Sequence, residues 1–134
     1  MIKKIHHVAI AVRNLDESLA VFERLLGVKP LQVKVLPGPR VRAAVFPVGD
    51  GGEIELIEPM DADSGVARFL ETRGQGIHHL CIEVDDVDAA LKEMAGKGIE
   101  LIDKQGREGL VGKIGFLNPR SAQGALIELV QCQE

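Results

Sequence analysis

Four polar side chains that interrupt otherwise apolar stretches of this sequence are candidate ligands of a divalent metal ion. They are two imidazoles, His7 and His79, and two carboxylates, Glu55 and Glu128. Imidazole and carboxylate groups suit zinc, cobalt, nickel, manganese and iron as divalent ions. Two carboxylates would balance the charge of such an ion, and four protein ligands would leave two octahedral positions for water or a chelating substrate. This residue set therefore indicates a catalytic metal centre.

The four candidates occur in two matched pairs of segments, which indicates an internal duplication. Residues 5–12 are repeated at 77–84, 72 positions later, and residues 53–57 are repeated at 126–130, 73 positions later. Two matches at nearly the same offset point to one duplicated unit. Each half of the sequence therefore supplies one histidine and one glutamate to the predicted centre.

The histidine segments alternate as β-strands do, so the directions of their side chains can be predicted. In a strand, neighbouring side chains point to opposite faces. Val8 shares a face with His6, and we expect this face to carry the helices, whereas His7 points to the opposite, less apolar face. The same alternation in the second copy places His78 and His79 on opposite faces of the strand. We therefore predict structural roles for His6 and His78, and metal-facing positions for His7 and His79.

The two glutamates could instead lie on a solvated strand face, as the polar residues of many half-buried strands do. Ile57 shares the face of Glu55, however, and Val130 shares the face of Glu128. A solvated face is more often polar throughout. We therefore expect both carboxylates to be buried, where a metal ion or a charged partner must offset the cost of removing them from water.

The elements predicted around these residues follow the order β-α-β-β-β twice. Asn14 caps the first helix, Gly27 ends it, and Ser64 caps a short helix in the connector. In the first half, strands are predicted at 31–36, 41–48 and 53–58. In the second half, strand 77–84 is followed by a helix that begins at Asp86 and by strands near 99–103, 112–117 and 125–131. These elements predict a single α+β domain. It consists of two modules, residues 3–60 and 76–132, which are joined by a connector at 61–75. We expect a curved mixed sheet with helices outside and a metal-binding cup inside.

Composition limits the classes of partner. The chain has 134 residues and 46% hydrophobic content, which is enough for the core of one domain. A net charge of -4 and the absence of Trp and Tyr argue against a nucleic acid partner. No apolar run approaches the roughly 18 residues that span a bilayer. We interpret Cys81 and Cys132 as reduced thiols of a cytoplasmic protein, although Cys81, two residues after His79, could also join the site.

The motifs resemble those of the methylmalonyl-CoA epimerases, which belong to the vicinal oxygen chelate superfamily with the glyoxalases, extradiol dioxygenases and bleomycin-resistance proteins. The resemblance runs nearly from end to end, through the four repeated segments and the connector at 63–71. It implies a glyoxalase-like fold, a homodimer and a divalent ion, with cobalt favoured over zinc, nickel or manganese. The implied metal ligands are His7, Glu55, His79 and Glu128.

The implied reaction interconverts the (R) and (S) forms of methylmalonyl-CoA by removing the α-proton, which gives a metal-stabilised enolate. Epimerisation needs a base on one face of the carbon and an acid on the other. The candidates for these two catalytic groups are Glu128 and Glu55. The candidates for binding the coenzyme A phosphates are the basic residues Arg40, Arg42, Lys113 and Arg120.

Three segments depart from the epimerase pattern. Residues 37–40 lack the Glu and Gln of a Pro-Glu-Gln-Gly loop, Asn118 replaces a histidine, and 110–113 replaces a more Gly-rich run. Two alternatives therefore stay open: a glyoxalase-like isomerase acting on a thiol adduct of a 2-oxoaldehyde, and a non-catalytic protein that binds a small molecule. An iron dioxygenase fits less well, because it would use two histidines and one carboxylate.

Overall fold

The computed structural model describes residues 1–132, and this part contains eight strands and three α-helices. In chain order the elements are β1 (Ile2–Ala11), α1 (Leu15–Leu26), β2 (Gln32–Leu36), β3 (Val41–Val48), β4 (Gly52–Pro59), α2 (Gly65–Arg73), β5 (Gly76–Val84), α3 (Val87–Gly96), β6 (Arg107–Glu108), β7 (Gly112–Leu117), a 3-10 helix (Pro119–Ala122) and β8 (Ile127–Cys132). The order β-α-β-β-β predicted for each half is confirmed. Within the described range, no helix is both long and apolar enough to cross a membrane.

The chain forms two compact units of the same topology. The first unit is His7–His78, and the second joins Met1–His6 to the chain from His79 onward. In the first unit the strand order is β2-β3-β4-β1, and only β1 and β4 are parallel. In the second it is β5-β8-β7-β6, and only β5 and β8 are parallel. This correspondence agrees with a duplication, while the modules at 3–60 and 76–132 stay a prediction.

Helix α1 begins and ends where the sequence predicts. The Asn14 side chain accepts a hydrogen bond from the Glu17 backbone N–H at 3.0 Å, and Gly27 ends the helix in the left-handed conformation that glycine adopts without strain. The helix packs against Phe46 and Leu56, which are both fully buried. This places α1 on the face of the first unit opposite Glu55, since side chains alternate along β4.

Helix α2 lies on the other face of the first unit, which differs from the prediction. Val66 and Leu70 pack against Ala9 and Ala11 in one buried cluster. The expectation that the helices lie on the face opposite His7 is therefore confirmed for α1 and wrong for α2. The reason is the small size of the two alanines, which let the helix approach the end of β1 beyond His7.

Ser64 fixes the start of α2, and its replacement gives a first prediction. Its buried hydroxyl accepts a hydrogen bond from the Ala67 backbone N–H at 3.1 Å. We expect Ser64→Ala to lower the free energy of unfolding by about 1 to 2 kcal/mol, because the first turn loses its cap. Urea unfolding would measure this change. Ser18→Ala, at a half-buried position inside α1 where the hydroxyl donates to the Asn14 carbonyl one turn earlier, serves as the control, and equal effects of the two variants would contradict the capping role.

Helix α3 packs on one face of the second unit and leaves the opposite face clear for the predicted ligands. Its residues Val87 and Leu91 are fully buried against Leu117 and Leu129. Gly115 allows this close approach, because a Cβ at that position would lie 2.9 Å from the Leu91 side chain. The sequence predicts the start of α3 correctly, since the Asp86 side chain caps it.

The strand predicted near 99–103 is wrong. Only one isolated bridge, between Leu101 and Leu117, forms there, and the short strand β6 lies further along the chain. Ile99 and Leu101 do pack into the core, so their apolar alternation reflects burial. The side chain of Asp103 accepts the Phe116 backbone N–H at 2.8 Å, and this bond replaces the ladder bond that a strand would make.

Candidate metal centre

The first His/Glu pair lies in the first unit, on two adjacent parallel strands. His7 of β1 and Glu55 of β4 point to the same face, and Ala9 is the register partner of Glu55. His7 Nε2 lies 4.0 Å from Glu55 Oε2. The two residues are only 8% and 9% exposed. The expectation that Glu55 is buried is therefore confirmed.

The second pair occupies the equivalent strands of the second unit. His79 of β5 and Glu128 of β8 share the face opposite α3, and Cys81 is the register partner of Glu128. His79 Nε2 lies 3.0 Å from Glu128 Oε1. Exposure is 8% for the histidine and 7% for the glutamate. Burial of Glu128 is likewise confirmed, and the duplication extends to the geometry of the pair.

Each pair has the chemistry and the spacing that a divalent metal ion requires. For metal–ligand bonds of about 2.1 Å, octahedral geometry separates adjacent ligand atoms by about 3 Å and opposite ones by about 4 Å. The two measured N···O distances, 3.0 and 4.0 Å, agree with these separations. Each unit therefore contains a possible His/Glu metal site. Ligation of one shared ion by all four residues stays a proposal.

On the adjacent antiparallel strands, apolar residues lie opposite both carboxylates. Val45, only 3% exposed, is the register partner of Glu55 on β3. Phe116 is the register partner of Glu128 on β7, and its ring meets the imidazole of His79 edge-on with 5.5 Å between the ring centres. Burial beside such residues lowers the local dielectric constant and strengthens electrostatic interactions at these side chains.

Helix α2 and three polar residues lie at opposite ends of the first-unit face that carries Glu55. Helix α2 covers it beyond Ala9, as described above. At the other end Glu53, the register partner of His7, is only half-buried. Gln32 and Lys34 of β2 point to this same face through their pairing with β3. No motif in the sequence marks these three polar residues, although the alternation of β2 and β4 indicates that they share the face.

The four basic residues predicted to bind coenzyme A each pair with a carboxylate. Arg40 contacts Asp61, Arg42 contacts both Glu58 and Asp16, Lys113 contacts Asp88, and Arg120 contacts Glu100, at distances between 2.7 and 3.3 Å. By strand alternation Arg42 lies on the α1 face of β3 and Lys113 on the α3 face of β7. Their assignment to the coenzyme stays a prediction.

The contact between Lys113 and Asp88 shifts the pKa values of both groups. The hydrogen bond from the Lys113 ammonium lowers the pKa of Asp88, and the Gly106 backbone N–H adds to this effect. The same hydrogen bond raises the pKa of Lys113. Both groups are therefore charged at neutral pH, and the lysine is already engaged by a protein carboxylate.

The remaining residues that the sequence singled out lie beside the pairs. His78 packs edge-on against the Phe69 ring, with 5.0 Å between the ring centres. Cys81 is fully buried on the His79 face of β5, and neither it nor Cys132 forms a disulfide. A structural role for His78, and any role for Cys81 in the site, stay predictions.

The comparison with protein families defines the class of this protein. Residues 6–116 match the model of the Glyoxalase/Bleomycin resistance protein/Dioxygenase superfamily, so the chain belongs to that superfamily. Human mitochondrial methylmalonyl-CoA epimerase is 35% identical over 130 residues, which cover 96% of this chain and 73% of the relative. Within the superfamily the chain therefore belongs to the methylmalonyl-CoA epimerase family, and it is an enzyme of the epimerase class.

Solved structures agree with this assignment. Methylmalonyl-CoA epimerase from Mycobacterium tuberculosis has a TM-score of 0.94 at 32% identity, covering 99% of this chain and 90% of that one. A methylmalonyl-CoA epimerase in complex with methylmalonyl-CoA and NH4+ has a TM-score of 0.89 at 32% identity, covering 97% and 94%. The predicted glyoxalase-like α+β fold and the predicted family are thus confirmed.

Proposed function

We propose that the protein interconverts the (R) and (S) forms of methylmalonyl-CoA and that a divalent metal ion assists the reaction. The observation that carries this proposal is the presence of a buried His/Glu pair on equivalent strands of both units. The human relative is named a methylmalonyl-CoA epimerase, and a solved relative holds methylmalonyl-CoA. The substrate in this proposal is inferred from these two relatives.

The proposed ligands of the ion are His7, Glu55, His79 and Glu128. Two neutral imidazoles and two carboxylates would compensate the charge of a divalent cation, which explains why two glutamates are buried among apolar residues. When bound, the ion would polarise the thioester carbonyl and stabilise the negative charge that develops on its oxygen, an effect of several kcal/mol. Cobalt is the proposed ion, with zinc, nickel and manganese as alternatives.

Proton transfer is assigned to carboxylates of the same set. The α-carbon–hydrogen bond breaks, its electron pair stays on the substrate as the enolate, and the proton passes to a carboxylate on one face. The other carboxyl group, which must first take up a proton from solvent, returns a proton to the opposite face, and this inverts the carbon. Glu128 and Glu55 are the proposed groups, one from each unit. The Phe116 ring beside Glu128 would keep water from that carboxylate.

The proposed setting of the enzyme is a homodimer in the cytoplasm. The dimer follows from the resemblance to superfamily members that pair. The cytoplasmic location follows from the sequence, whose two cysteines are too few for a disulfide framework. An acyl-CoA thioester is the proposed small-molecule partner.

Deuterium exchange tests the reaction directly. We expect the metal-loaded protein, incubated with (R)-methylmalonyl-CoA in deuterated water, to invert the carbon and to place one deuterium on it. Mass spectrometry and chiral analysis of the thioester would measure both changes. Exchange no faster than the protein-free background would remove the epimerase proposal.

Two control measurements separate the alternatives. Turnover of the hemithioacetal of methylglyoxal and a thiol, without exchange of methylmalonyl-CoA, would favour the glyoxalase-like isomerase. Elemental analysis of protein purified without a chelating tag is expected to find one ion per chain. An absence of stoichiometric metal together with tight binding of an unchanged small molecule would favour the binding protein.

A further inference from the structure

Arg107 lies beside the second His/Glu pair and is not among the basic residues selected from the sequence. Residue 107 begins β6 and pairs with Ile114 of β7. Its guanidinium carbon lies 5.6 Å from the centre of the Phe116 ring. The same ring meets His79 edge-on and is the register partner of Glu128. One aromatic ring therefore separates this cation from the predicted metal ligands of the second unit.

Asp103 holds the guanidinium in this position. The Nε of Arg107 donates a hydrogen bond to Asp103 Oδ1 at 3.1 Å, while Asp103 Oδ2 accepts the Phe116 backbone N–H at 2.8 Å. One carboxylate thus fixes the arginine to the strand that carries the ring. The Asp103 side chain is 17% exposed and that of Arg107 is 53% exposed. The charged end is therefore positioned by the protein while it stays open to solvent.

The two terminal nitrogens of this guanidinium have no hydrogen-bond partner among residues 1–132. They form a planar fork that matches the two oxygens of a carboxylate or a phosphate. The four basic residues selected from the sequence already contact protein carboxylates through their terminal nitrogens. Arg107 instead meets its aspartate through Nε only, which leaves its fork available to a ligand.

We propose that Arg107 binds an anionic oxygen group of the acyl-CoA substrate, an inference that rests on the proposed function. The group is either the carboxylate of the acyl moiety or a phosphate of coenzyme A, since both offer paired oxygens to the fork. Arg107 acts in binding and specificity, and takes no part in proton transfer. Asp103 is its positioning residue.

Binding measurements with two malonyl thioesters test this role without requiring turnover. Malonyl-CoA carries both the carboxylate and the phosphates, whereas malonyl-pantetheine carries only the carboxylate. We expect Arg107→Gln to weaken binding of malonyl-CoA about tenfold by calorimetry, the loss typical of a charge-assisted hydrogen bond. Arg107→Lys should recover part of the affinity, because it keeps the charge and loses the fork.

The pair of probes identifies which group is bound. A loss seen with both thioesters assigns the carboxylate, and a loss seen with malonyl-CoA alone assigns a phosphate. Arg24→Gln, the same change of charge on α1, is the control and should leave both affinities within about twofold. Affinities of Arg107→Gln within twofold of the parent for both probes would overturn the proposal.

Kinetics and unfolding separate this proposal from the proposed function. In the epimerase assay we expect Arg107→Gln to raise KM about tenfold and to leave kcat within about twofold, because it removes binding that is common to the ground state and the transition state. Its unfolding temperature should stay within about 3 °C, since an exposed ion pair contributes little to stability. An inactive parent protein would refute the epimerase proposal while the binding measurements still decide the role of Arg107.

Discussion

Replacing Glu128 with alanine is expected to remove the bound metal ion and to lower epimerase turnover about a thousandfold. The loss of one ligand leaves His79 without its neighbour at 3.0 Å and opens a cavity beside Phe116. The proposed ion would supply several kcal/mol of stabilisation to the charge that develops during proton removal, which corresponds to roughly three orders of magnitude in rate. Elemental analysis would measure the ion, and deuterium exchange would measure the turnover.

Two further variants sharpen this test. Glu128→Gln keeps the shape and one oxygen ligand, so it should retain more metal than the alanine variant while it loses the carboxylate that transfers a proton. Glu93→Ala, at an exposed position of α3 that pairs with Lys97, should leave both metal content and turnover unchanged. A Glu128→Ala protein that keeps its ion and its full rate would refute the proposed centre.

The largest effect on stability is expected from Phe46→Ala, at about 3 to 5 kcal/mol. Phe46 is fully buried between β3 and α1, and its ring lies 6.3 Å from that of Phe22, measured between centres. Alanine would leave a cavity under α1 that the surrounding side chains fill only in part. A loss of this size is a large fraction of the stability of a typical domain. Equilibrium unfolding in urea would measure it.

A conservative variant tests whether the cavity causes the loss of stability. Phe46→Leu keeps most of the buried volume, so it should cost less than half as much as the alanine variant. If Phe46→Ala lowered the free energy of unfolding by less than about 1 kcal/mol, the packing of α1 on β3 described above would be wrong.

The sequence predicts the elements well where the determining interactions are local. Asn14, Ser64 and Asp86 are all helix caps, as predicted, because a cap is a hydrogen bond across three residues. The strand expected near 99–103 is wrong because pairing there depends on a distant partner. Leu101 alternates as a strand residue does, yet the Asp103 side chain takes the bond that a neighbouring strand would have made.

The candidate ligands could be predicted because the duplication marks them twice. A single glutamate within an apolar strand could be either a buried ligand or a solvated residue. Glu55 and Glu128, however, occur at matching positions of the repeat, and both are buried. Arg107 has no such marker. Its position depends on a two-residue strand, on the register of β7 and on a carboxylate four residues away. None of these follows from local periodicity, so only the folded chain reveals this side chain beside the second pair.

The boundaries of the compact units also bear on how a duplicated gene can be divided. Met1 and Lys3 precede the first unit in the chain but contact Asp85 and Glu83 in the second. Conversely, Gln75 is the last residue of the connector, and its side chain accepts the Arg13 backbone N–H within the first unit. The boundaries of the sequence repeat therefore differ by several residues from those of the folded units. A recombination event that exchanged halves at the connector would separate the first residues of β1 from these contacts, which favours inheritance of both halves together.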